Sequence, residues 1–66
     1  MKFELNGDAY DIEGEFTVQT LLQHLDLERR RVAVALNSKV VPRSRFDRTR
    51  IAEGDRVEVI QAVGGG

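Results

Sequence analysis

The chain has 66 residues, 41% hydrophobic and 32% charged, with one histidine, no cysteine and a formal net charge of −1. This length suits one small domain, and the composition is that of an ordinary globular protein rather than a disordered or membrane-spanning one. The lack of cysteine excludes disulfides, thiolate metal sites and a nucleophilic thiol. The longest apolar run, Val32 to Leu36, is too short to cross a bilayer, and Met1-Lys2-Phe3-Glu4 lacks the layout of a signal peptide, so a cytoplasmic protein is expected. Charge is unevenly divided: residues 1–28 sum to −6 and residues 29–66 to +5.

Alternation in Lys2-Phe3-Glu4-Leu5 puts Phe3 and Leu5 on one face of a strand, and Asn6-Gly7 supplies the positive φ angles of a tight hairpin. The return strand is expected over Ala9–Glu13, with Tyr10 and Ile12 on one face, so that both strands cover a core. Thr17 is placed to cap a helix, expected over Val18–Leu25 or slightly longer, whose apolar residues Val18, Leu21, Leu22 and Leu25 follow the i, i+3, i+4, i+7 pattern. Phe16 and Leu21 are spaced for a hydrophobic staple at its start.

Val32 to Asn37 is apolar on both parities, which predicts a strand covered on both sides. A turn at Asn37-Ser38-Lys39 leads into a short strand, Val40-Val41, stopped by Pro42. Arg43 to Arg50 is polar apart from Phe46, which is expected to anchor this connection or helical turn to the core. After a turn at Ala52-Glu53-Gly54-Asp55, Arg56–Gln61 alternates as a strand with Val57 and Val59 inward and Ile60 on the opposite sheet face. This order predicts an α+β fold of the β-grasp (ubiquitin-like) kind. One main helix packs across one face of a mixed four- to five-stranded sheet whose first and last strands run parallel at its centre. The domain is expected over residues 1–63, followed by a flexible tail over 64–66.

Catalytic motifs are absent: there is no phosphate loop, HExxH or GxSxG. His24 falls on the predicted polar helix face with no second His or Cys to complete a metal site, and reads as a surface residue. The acid pairs Asp11/Glu13 and Asp26/Glu28 read as solvated charge. The basic residues Arg29-Arg30-Arg31, Lys39, Arg43, Arg45, Arg48 and Arg50 suggest a solvated face or docking to an acidic protein. The negative total charge and a single interleaved aromatic, Phe46, argue against nucleic acid.

The tail Gly64-Gly65-Gly66 differs in kind. Three glycines abandon side-chain contact and conformational restriction, but they fit a narrow channel where any Cβ would clash, and they leave the terminal acyl carbon unhindered. Seen in isolation, such a tail also reads as a frayed end. Ile60, exposed beside it, is the candidate docking residue.

Taken together, the length, Asn6-Gly7, Thr17-Val18 with Leu21-Leu22, Val34-Ala35-Leu36-Asn37 before Val40-Val41-Pro42-Arg43, and Gly54-Asp55-Arg56-Val57-Glu58-Val59 running to Val63-Gly64-Gly65-Gly66 resemble the ThiS family, the sulfur carriers of thiamine biosynthesis. The resemblance implies a carrier rather than an enzyme. An adenylating, ThiF-like partner would use ATP to activate the Gly66 carboxylate, and a cysteine-persulfide donor would supply sulfur to make a Gly66 thiocarboxylate. Thiazole synthase would receive that sulfur. It assigns the sulfur to Gly66, makes Gly65 its required neighbour and matches Gly64, with no cofactor bound by the chain itself and no nucleic-acid or membrane partner. The alternatives are a sulfur carrier of molybdopterin synthesis, a ubiquitin-like protein modifier and a binding module without terminal chemistry.

Overall fold

The computed structural model describes residues 1–61. Their elements are β1 (Lys2–Leu5), β2 (Asp8–Asp11), β3 (Phe16–Thr17), α1 (Val18–His24), β4 (Val32–Leu36), β5 (Lys39–Val41), a 3-10 turn (Arg43–Arg45), β6 (Arg50–Ile51) and β7 (Arg56–Gln61). Five strands form a mixed sheet in the order β2-β1-β7-β4-β5, and β3 pairs with β6 in a separate ladder.

Asn6 and Gly7 have φ of 51° and 86°, the left-handed pair that a two-residue hairpin turn needs. The register sets Leu5 against Asp8 and Phe3 against Tyr10, so the return strand occupies Asp8–Asp11 rather than Ala9–Glu13. Met1 and Ile12 add one further rung: the Ile12 N–H donates to the Met1 carbonyl at 3.0 Å, and the terminal amine donates to the Ile12 carbonyl at 2.9 Å. The return strand closes the core only in part: Ile12, just past β2, packs half-buried against it. Tyr10 has the anticipated parity and stacks on Phe3, with centroids 5.9 Å apart, yet stays 38% exposed. As the edge strand, β2 lies where no second layer covers it, and every one of its residues is exposed.

Helix α1 is shorter than its apolar repeat suggests because both ends are defined by local chemistry. Thr17 and Thr20 form a reciprocal capping box, with the Thr20 N–H donating to Thr17 Oγ1 at 3.2 Å and the Thr17 N–H to Thr20 Oγ1 at 2.8 Å. The connection after β5 satisfies two more free donors of the first turn: Val18 N–H reaches the Thr49 carbonyl at 2.9 Å and Gln19 N–H the Phe46 carbonyl at 3.0 Å. At the other end Asp26 adopts φ 61°, the Asp26 N–H donates to Gln23 O at 3.0 Å and the Leu27 N–H to Leu22 O at 2.7 Å. This is a Schellman ending with aspartate in glycine's usual place, closed by half-buried Leu27. Phe16 packs against the core from β3, with Ile51 as its strand partner and the His24 ring edge-on at 5.5 Å.

The core is formed by Phe3, Leu5, Val18, Leu21, Leu22, Val32, Val34, Val41, Phe46, Ile51 and Val57. Phe46 is the expected anchor of the basic connection. β4 corrects a second expectation: it is covered on one face only, with Val32 and Val34 buried and Ala33 exposed. A single helix reaches one side of the sheet, and alanine is small enough for the other side to stay open at little cost.

Leu21, 1% exposed at the helix–sheet contact, should be among the most sensitive positions. Leu21→Ala is expected to cost about 2–5 kcal/mol, read as a fall in urea midpoint with an unchanged m-value. Val40→Ala, on the open face, should leave the midpoint nearly unmoved.

Candidate functional site: the end of the last strand

Gly64, Gly65 and Gly66, and the domain boundary placed at residue 63, lie outside the described residues. The structure shows the platform that hands the chain on to them. β7 is the middle strand, parallel to β1 through Glu4↔Arg56 and Leu5↔Val57 and antiparallel to β4 from Leu36↔Val57 to Val32↔Gln61. Its alternation divides two roles. Val57 is fully buried and Val59 half-buried toward α1, whereas Ile60 is 64% exposed on the opposite face, as strand parity predicts.

β1 ends at Leu5, opposite Val57 and two residues before β7 reaches Val59. The Asn6 side chain replaces the missing rung: its Nδ2 donates to the Val59 carbonyl at 3.2 Å and its Oδ1 accepts the Val59 N–H at 2.8 Å. A carboxamide presents one donor and one acceptor side by side, like a peptide group, so it can pair with a strand. The main-chain N–H of Asn6 also donates to Val57 O at 2.9 Å. Asn6 therefore makes the hairpin turn and grips the strand that leads to the tail. The dipeptide Asn6-Gly7 announces the turn; only the parallel register places Val59 within reach.

Around Ile60 the open sheet face is apolar toward β5. Ala33 is its register partner on β4, and Ala35 pairs with Val40, which is 78% exposed. Val40 belongs to this surface with Ile60, although sequence alternation alone does not join them. On the β1 side the face becomes charged, with Arg56 Nε 3.7 Å from Glu4 Oε2.

The described residues contain no group of three His, Cys, Asp or Glu side chains able to hold a metal. His24 is exposed, as are Asp11, Glu13, Asp26 and Glu28. Asp11 lies 3.5 Å from the terminal amine. No helix among the described residues is long and apolar enough to cross a membrane.

One helix laid across a mixed sheet, with first and last strands parallel at its centre, defines a ubiquitin-like β-grasp protein. The crystal structure of thiamine biosynthesis protein ThiS from Geobacter metallireducens superposes with a TM-score of 0.87 at 35% identity, each chain covered completely. The family model described as ThiS family matches residues 3–66, and the chain belongs to that family. The sulfur carrier protein ThiS of Escherichia coli is 30% identical, with both sequences covered from end to end. A thiazole synthase from Paramagnetospirillum magneticum is 35% identical over the whole of this chain, which spans 20% of that longer protein.

Asn6→Gly keeps the turn's backbone freedom while deleting both side-chain bonds to Val59. It is expected to cost about 1–2 kcal/mol and to speed hydrogen exchange at the Val59 amide selectively, measurable by NMR. An unchanged Val59 exchange rate would show that the clamp does not hold the strand.

Proposed function

We propose that this chain is a sulfur carrier of thiamine biosynthesis whose reactive group is the Gly66 carboxylate. The observation that carries this reading is the family match through residue 66, which includes Gly64-Gly65-Gly66. Complete coverage of the E. coli carrier adds support, as does the presence of a similar segment within a thiazole synthase.

The chemistry follows from what the chain lacks. A free carboxylate resists nucleophiles, and this sequence has neither a phosphate loop nor a thiol to activate it. A ThiF-like partner therefore transfers AMP from ATP to Gly66, releasing pyrophosphate and leaving an acyl adenylate. The terminal sulfur of a partner's cysteine persulfide attacks the acyl carbon and expels AMP. A second partner thiol then cleaves the resulting S–S bond, giving the Gly66 thiocarboxylate and a disulfide on the donor side. Thiazole synthase takes the sulfur from that thiocarboxylate. The chain supplies a presented terminus rather than catalysis, and glycine leaves the acyl carbon open to each partner. Ile60, on the open face close to where β7 hands on to the tail, is the proposed apolar docking residue for the adenylating enzyme.

The decisive measurement is intact mass after incubation with ATP, the adenylating enzyme and a persulfide donor. The expected gain equals the difference between one sulfur and one oxygen and maps to Gly66 on fragmentation. Omitting any component should abolish it, and Gly66→Ala should slow it because the methyl crowds the acyl carbon. ATP consumption without that gain, accompanied by lysine conjugates, would replace the carrier with a protein modifier.

Ile60→Asp should weaken association with the adenylating enzyme by about tenfold or more, since it places a charge in an apolar contact. Its thermal midpoint should remain near that of the wild type. Unfolding of the variant would instead place Ile60 among the structural residues.

A further inference from the structure

The uneven charge of the sequence becomes spatial through the topology. β1 and β2 lie on one side of β7, with β4 and β5 on the other. β4 begins opposite the end of β7, at Val32↔Gln61, and β5 runs back along β4, from Leu36↔Lys39 to Val34↔Val41. The residues just before β4 and just after β5 are therefore brought to the sheet end where β7 leads into the tail. Those residues are Arg29, Arg30 and Arg31 on one segment and Arg43 and Arg45 on the other, all exposed.

None of the five takes part in an ion pair among the described residues. The pairs present there join Met1 to Asp11, Arg48 to Asp47, Arg50 to Glu15 and Arg56 to Glu4. Glu28, exposed beside Arg29, is the nearest acid in sequence, and Asp47 already faces Arg48 at 3.8 Å. Five guanidinium groups without an ion-pair partner among the described residues, gathered at one end of a chain of net charge −1, create a local positive field. Such a field reaches roughly 8 Å into physiological salt and attracts an oppositely charged surface before contact.

We propose that Arg29, Arg30, Arg31, Arg43 and Arg45 form a steering surface for an acidic rim around the tail-accepting channel of the adenylating enzyme. The proposal rests on the function inferred above and assigns these arginines a role separate from the apolar contact at Ile60. Guanidinium groups suit carboxylates because they offer paired donors in a planar fork. Their place at the end of β7 means that the same approach that matches charge also brings that end of the last strand to the partner. A strand of nucleic acid fits less well, since the chain as a whole is negative and Phe46, the aromatic within the basic segment, is buried.

The test compares Arg29→Glu/Arg31→Glu/Arg43→Glu with an equal charge change elsewhere, Lys2→Glu/Lys39→Glu/Arg50→Glu, in stopped-flow association with the adenylating enzyme across a salt series. Circular dichroism melts check that both variants fold. The tail-end variant should associate about tenfold or more slowly at low salt, with the difference closing as salt rises, while turnover at saturating carrier is retained. The control should lose far less. Equal losses in the two variants, or a salt-independent loss, would overturn the proposal. So would wild-type association of the tail-end variant together with weakened binding to a single-stranded oligonucleotide, which would mark a nucleic-acid surface. Wild-type protein in the same assay separates the two inferences. If it associates but never gains sulfur, the carrier reading fails; if it gains sulfur and the variants behave alike, only the steering surface fails.

Discussion

Among the described residues one α-helix covers a five-stranded sheet, so one sheet face is sealed and the other remains open. Val57 lies at the middle of the sealed face, fully buried on the central strand and flanked by β1 and β4. Burying a side chain of that size contributes about 1.5–3 kcal/mol, a substantial share of the stability expected for a small domain. Because side chains alternate along a strand, the packing that commits Val57 to the core also commits Ile60 to the open face. A buried anchor and an exposed apolar side chain thus come from the same six residues.

Polar groups around this core are satisfied both by local caps and by side-chain and backbone bonds between segments distant in sequence. The donors at the start of α1 are taken by Thr17, Phe46 and Thr49, which tie the helix to the basic connection. At the far end of β7, Asp55 accepts from the Ala52 N–H at 2.7 Å and from Asn37 Nδ2 at 3.1 Å, while Asn37 Oδ1 accepts the Arg56 N–H at 2.9 Å. Two turns are interlocked there, and Asn6 performs a related task nearer the tail. β7 is consequently held at Arg56 and Val59 by the side-chain amides of Asn37 and Asn6 as well as by its neighbouring strands.

The division of the sheet into an acidic and a basic flank follows from its order rather than from local composition. Each hairpin carries its own charge bias, and β7 separates them. The proposed carrier chemistry suits such an object: a small domain with a sealed core, an open apolar face and a charged border, with the proposed reactive group placed in sequence after the last strand.

The elements were legible in the sequence wherever a short-range rule governs them. Asn6-Gly7 dictates its turn through left-handed backbone, Thr17 caps its helix, and alternation in Arg56–Gln61 assigns Val57 inward and Ile60 outward. The family resemblance, which the family match over residues 3–66 bears out, likewise rests on residues readable in order. Tertiary structure alone decided what depends on distant partners. The exposure of Tyr10 and Ala33 reflects the reach of one helix, and the pairing of Phe16 with Ile51 joins segments too short to show a period. The grip of Asn6 on Val59, and the meeting of Arg29–Arg31 with Arg43 and Arg45 at one sheet end, follow from strand order and register, which local sequence patterns do not encode.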